Sequence, residues 1–162
     1  MRTKLAIDTS VWIESLCPSF AFYEKARVLV DAVDKGHVFA LVTPLTATEV
    51  FYISYRVYQE LGLSGRDALK KSGELFDYML SHPYILVHTD TSVMREAALV
   101  KIKYGIALSD SYLLALSRTQ KALPVFCKVE KEMKEVLKSL RQEFNVGFLS
   151  KDWDELSKLI QR

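Results

Sequence analysis

Thiol chemistry is nearly absent from this chain. Cys17 and Cys127 are the only cysteines among 162 residues, they lie far apart, and they share no metal-ligand spacing. That excludes a disulfide scaffold and a cysteine-based zinc site, and leaves two reduced, partly buried thiols as the expectation. Histidine is also scarce: His37, His82 and His88 lack the i, i+4 pairing of a zinc helix. No serine stands in a nucleophile elbow, and no glycine-rich loop is built to cradle phosphates. With six glycines and four prolines, no linker, repeat or low-complexity tract divides the chain, so a single domain over 1–162 is expected. No apolar run approaches the ~18 residues that a membrane span needs. The apolar start is short and interrupted by Asp8, unlike a signal peptide, and a cytoplasmic location is expected. Neither sign of charge dominates: the net charge is +2, so the whole-molecule field does not announce nucleic acid.

A hydrophobic fraction of 49% and a charged fraction of 26% describe an ordinary soluble globular protein with a sizeable core. Short β-type runs alternate with longer helical patterns. Strands are expected at 4–7, 38–43, 85–88, 125–127 and 146–149. Helices are expected at 11–16, 20–35, 47–60, 66–81, 92–104, 110–121, 130–143 and 153–160. This alternation predicts βαβ units and a mostly parallel five-strand sheet between helices, a three-layer α/β sandwich. Right-handed crossovers then bring every strand's carboxyl end to one edge. Thr46 with Glu49 fits a capping box, Gly105 a helix stop, and Ser109 an N-cap. Gly62 and Gly65 bracket a turn, and Asp152 and Asp154 read as helix-start residues around Trp153.

On that frame four acids share one edge. Asp8 closes the first strand, and Glu49 opens the helix after the second. Asp110 lies at the start of the helix beginning Ser109-Asp110-Ser111-Tyr112, and Glu130 lies just past the fourth strand. Each has a structural reading too: Asp8 as turn or N-cap, Glu49 as capping-box partner, Asp110 as a macrodipole complement, Glu130 as part of a solvated charged face. Their joint occurrence favours a site. Clustered carboxylates repel one another unless a cation intervenes, and an all-oxygen set suits Mg²⁺ or Mn²⁺. Such a site fits phosphodiester hydrolysis.

Ile7-Asp8-Thr9-Ser10-Val11, Thr48-Glu49 and Leu108-Ser109-Asp110-Ser111-Tyr112-Leu113-Leu114-Ala115 together resemble a PIN domain, over residues 5–149. The resemblance implies a metal-dependent ribonuclease, in many members a VapC-type toxin, with RNA as substrate, an antitoxin protein as partner and a homodimeric state. It implies Asp8, Glu49 and Asp110 as the core acids, with Thr9 and Ser10 orienting the first. The family's Thr-x-Asp after the fourth strand is replaced here by Cys127-Lys128-Val129, so Glu130, or next Glu132, supplies the fourth carboxylate. The rival reading is an inactive PIN-like domain that binds RNA or protein. A haloacid dehalogenase-type phosphatase wants an Asp where Ser10 stands, and a receiver domain wants an early acidic pair that this chain lacks.

Phe51, Tyr55 and Tyr58 recur at helical spacing, with Tyr52 alongside. This stripe is either core packing or a contact surface for a second copy or a partner helix. Arg56, Arg95, Lys101, Lys103 and Arg118 are either dispersed solvated charges or a phosphate-holding rim.

Overall fold

The computed structural model describes residues 2–160. Five strands form one sheet: β1 (Thr3–Ile7), β2 (Val38–Val42), β3 (Ile85–Val87), β4 (Leu123–Phe126) and β5 (Gly147–Phe148). All neighbours run parallel, in the order β3-β2-β1-β4-β5. The order reverses between β1 and β4, and in such sheets the crevice outside that reversal is where ligands bind.

The helices are α1 (Thr9–Glu14), α2 (Tyr23–Asp34), α3 (Pro44–Glu60), α4 (Gly65–Ser81), α5 (Thr91–Tyr104), α6 (Leu108–Gln120), α7 (Leu137–Phe144) and α8 (Trp153–Ile160). Alternation along the strands divides the core between two faces. Leu5, Ile7, Ala40 and Val42 point to α1, α2 and α8. Ala6 and Phe126 point to α5, α6 and α7, and Leu41 to α5 and α6. Both faces of the central strands are therefore dry, as parallel sheets require.

Four of the expected boundaries that move do so for a local reason. Helix α3 begins at Pro44, because the Thr43 hydroxyl accepts the Thr46 N–H at 3.1 Å and Pro44 sits where a missing N–H costs nothing. The capping box between Thr46 and Glu49 does not form, and Glu49 lies in the second turn. Helix α6 begins at Leu108 with Ala107 at its N-cap, so Ser109 is inside the helix rather than capping it. The segment expected as one helix over 130–143 is instead an extended Glu130, a 3-10 turn at Lys131–Met133, and α7. Strand β4 also starts earlier than expected, through Pro124. Strand β5 pairs only from Val125 onward, so no neighbour on that side needs the N–H that proline lacks. Gly105 closes α5 in the left-handed conformation at φ +69, as expected.

Gly36 is the position where glycine is required. It has φ +68, and a Cβ there would stand 2.5 Å from the Tyr84 ring. Gly36→Ala is expected to lower the unfolding free energy by about 1–3 kcal/mol. Gly73 lies inside α4 with nothing within 4 Å of a would-be Cβ. Gly73→Ala should raise stability by about 0.5–1 kcal/mol. Chemical denaturation of the pair checks both signs in one series.

Candidate active site

The carboxyl ends of β1 and β4 open into a cavity of about 510 Å³. The ladder carries one residue past β1, as the Asp8 N–H donates to the Val125 carbonyl at 2.9 Å. Asp8 is then the N-cap of α1: its carboxylate accepts the Ser10 N–H at 2.8 Å and the Ser10 hydroxyl. The Ser10 hydroxyl oxygen accepts the Cys127 N–H at 3.2 Å, so one serine ties the ends of β1 and β4 together. The cap reading and the site reading of Asp8 are both satisfied by the same side chain.

Helix α3 carries Glu49 to the same cavity, where its Oε2 accepts the Thr9 hydroxyl at 2.8 Å. The first turn of α6 brings in Asp110, only 7% exposed. The extended residue after β4 brings in Glu130, and the 3-10 turn that follows adds Glu132. All four expected acids and the alternative, Glu132, thus line one cavity. They surround it without closing on one point: among the described residues no three Asp, Glu, His or Cys side chains form a ready-made metal-ligand group.

Two features of the lining escape a sequence reading. Glu14, at the end of α1, is a sixth carboxylate, with its Oε2 already accepting the Phe22 N–H at 2.8 Å. The cations at the cavity are Lys128 and Lys131. None of the five basic residues expected as a rim lines it. Lys103 pairs with Glu143 at 2.6 Å, Arg118 with Glu96 and Glu143, and Arg56 lies over the Tyr52 ring. Val129, in the place of the family's fourth acid, packs against the core between α6 and α7. Within the aromatic stripe Phe51 packs, meeting Phe76 of α4 edge-on at 5.6 Å, while Tyr52 is exposed.

The electrostatics follow from this crowding. Burial is the largest cause that raises the Asp110 carboxyl to about 8, followed by the charges of Asp8, Glu130, Glu49 and Glu132. Burial also raises Asp8, against the lowering effect of its two bonds from Ser10. Cys127 is pushed up to about 12, chiefly by burial, so its thiol is protonated at neutral pH in the metal-free protein. The charged donors are carboxylate oxygens, with two lysines beside them, a set suited in kind to a hard divalent cation.

No family model matches the chain, and no curated protein matches it in sequence. Solved structures do match in shape. A chain of a toxin–antitoxin complex from Klebsiella pneumoniae superposes with a TM-score of 0.55 at 12% identity, covering 83% of this chain and 92% of that one. FitAcB from Neisseria gonorrhoeae gives 0.54 at 18% identity, covering 89% of this chain and 96% of the other. At such identities a likeness carries the fold alone, an α/β sandwich with a five-strand parallel sheet flanked by helices.

Proposed function

We propose that this protein is a Mg²⁺- or Mn²⁺-dependent endoribonuclease of the PIN type, a toxin or RNA-processing nuclease that hydrolyses phosphodiester bonds. The observation that carries the reading is the convergence of Asp8, Glu49, Asp110 and Glu130 on one cavity at the point where strand order reverses. Asp8, Glu49 and Asp110 would hold the ion, with Glu130 as the fourth carboxylate. When bound, the ion offsets the carboxylate repulsion, lowers the pKa of water and stabilises charge on a phosphoryl group.

The chain's own residues do the positioning. Ser10 fixes Asp8 through two hydrogen bonds and Thr9 fixes Glu49 through one, so both carboxylates present their remaining oxygens in set directions. Burial and the neighbouring carboxylates hold the Asp110 carboxyl up near 8, and Asp8 is raised with it. Lys128 and Lys131 place positive charge beside the acids, where it can hold the phosphates flanking the cut. Ser10→Ala removes Asp8's side-chain donor and the link to β4. It is expected to weaken Mn²⁺ binding about 10–100-fold in a calorimetric titration, with the fold retained.

An antitoxin protein as partner is supported by the toxin–antitoxin assembly among the structural neighbours. A homodimer is supported by Leu99 and Ile102, 54% and 81% exposed on α5. Sedimentation of the purified protein checks the latter: a monomer at all concentrations would remove it. No described helix is long and apolar enough to cross a membrane.

The decisive experiment is cleavage of a mixed single-stranded RNA pool with Mn²⁺ or Mg²⁺ against an EDTA control, with the Asp110→Asn protein alongside. Metal-dependent cleavage lost in the variant supports the nuclease. A second reading, an inactive domain that binds RNA or protein, is favoured by Val129 standing where an acid is expected. It predicts no saturable Mn²⁺ binding.

A further inference from the structure

A second cavity, of about 240 Å³, lies on the same sheet edge beyond β2 and β3. Its walls are Pro44 and Leu45 from the start of α3, Val93 and Met94 from the start of α5, and Tyr112 from α6; His88, Thr89 and Asp90 form its polar side. Helices α3 and α6 are the two that carry Glu49 and Asp110 into the acidic cavity, so the same two helices border both hollows. The hollows lie along one sheet edge, the acidic cavity at the ends of β1 and β4 and this one beyond β2 and β3. Lys128 and Lys131, from the segment after β4, line the acidic cavity together with the acids. A single strand of RNA laid along this edge would pass all three features.

We propose that this second cavity is a base pocket for the RNA, and that it takes a nucleobase with N–H donors on its pairing edge, guanine foremost. The inference rests on the ribonuclease reading above. Size is the first argument. The cavity holds about eight waters' share of volume, room for one base and less than a drug-sized ligand needs. Surface is the second. Flat apolar and aromatic walls accept the face of a base, which is how single-stranded RNA is read. Met94 is 54% exposed at the rim, an apolar and adaptable side chain left without full packing.

Unspent polar capacity is the third argument. Asp90 caps α5 by accepting the Ser92 N–H at 2.8 Å, with the Ser92 hydroxyl as a second donor; its carboxylate is exposed beside the cavity and has acceptor sites beyond these two. The neighbouring His88 has a buried Nε2 with no hydrogen-bond partner among the described residues. Native structures rarely leave such a buried nitrogen unmet. A carboxylate is an acceptor only. It repels phosphate and favours N–H edges, and guanine presents two adjacent donors on its pairing edge.

The test separates this pocket from the nuclease reading. The four nucleoside 5′-monophosphates are titrated, in EDTA, into protein with ¹³C-methyl-labelled methionine. Guanosine monophosphate is expected to shift the Met94 methyl signal saturably while the buried Met79 and Met133 stay still. Uridine and cytidine monophosphates should bind about tenfold more weakly. Met94→Trp fills the mouth and should abolish the effect. Asp90→Asn keeps the helix cap and should erase the base preference. No saturable Met94 shift with any nucleotide, or a base preference unaltered by Asp90→Asn, overturns the proposal. Cleavage ends of a random RNA pool give the second readout: a base bias at a fixed distance from the cut, lost in both variants whatever their rate. A cleaved pool whose bias survives in both variants sinks the pocket and leaves the nuclease standing. An uncleaved pool with intact guanosine monophosphate binding sinks the nuclease and leaves the pocket.

Discussion

Asp110→Asn is expected to do two opposite things: abolish metal-dependent cleavage, by at least about 100-fold, and stabilise the metal-free protein at pH 8. The first effect follows from replacing a charged ligand by a neutral one, a larger change than the ~10–100-fold loss from removing a group that only orients a ligand. The second follows from proton linkage. Folded Asp110 holds its proton up to about pH 8, whereas an unfolded aspartate releases it near the ordinary value of 3.8. Between those values the folded state binds more protons, so unfolding free energy falls as pH rises. Wild-type protein in EDTA should lose stability from about pH 4 to about pH 8 and then level off. A tenfold change in proton affinity is worth about 1.4 kcal/mol, so the loss is on the order of several kcal/mol for this nearly buried carboxyl. The amide of the Asp110→Asn variant cannot titrate, and its curve should lack that slope. Saturating Mn²⁺ reverses the rank, because a ligand bound only by the folded state stabilises it by mass action. Urea midpoints of both proteins at pH 5 and pH 8, with and without Mn²⁺, check all four corners. A flat wild-type curve in EDTA would mean that Asp110 is ionised without cost and that the acids do not crowd one another.

Much of this site was legible in the sequence because parallel-sheet topology is so restrictive. Once five strands alternate with helices, strand ends and helix starts must share an edge, and Asp8, Glu49, Asp110 and Glu130 fall there by position alone. What stayed hidden depends on tertiary geometry. Glu14 reads as an ordinary surface acid of a short helix, and only the path of α1 over β4 turns it to the cavity. Lys128 and Lys131 sit in a run of mixed charge whose period suggests a helix. The chain is instead extended at Glu130, so that Met133 and Val129 can reach the core while their charged neighbours face the acids. The expected basic rim failed for the converse reason: Arg118 and Lys103 satisfy Glu96 and Glu143 on the far side of α6. Capping went astray where two hydroxyls competed, as Thr43 rather than Thr46 heads α3.

The remaining large effect concerns which acid completes the set. Glu130→Gln is expected to lower cleavage and Mn²⁺ affinity about 10–100-fold, and Glu132→Gln by less than about threefold. Val129 cannot serve, since its side chain is committed to the α6–α7 core. Between the two glutamates, the charge of Glu130 raises the Asp110 carboxyl more than that of Glu132, and only Asp8 among the acids outweighs it. Glu130 is also the less exposed, set on an extended residue just before the 3-10 turn, whereas Glu132 lies in that turn and is open to solvent. An exposed carboxylate at longer range is screened and flexible, so it adds little to affinity. Coupling distinguishes a shared ion from two independent effects. In the double variant with Asp110→Asn, the Glu130→Gln loss should largely disappear, because residues of one site are strongly non-additive. Full additivity would instead place Glu130 outside the ion's ligands, as a distant charge acting through the field alone. A Glu132→Gln loss greater than that of Glu130→Gln would move the fourth carboxylate to the 3-10 turn.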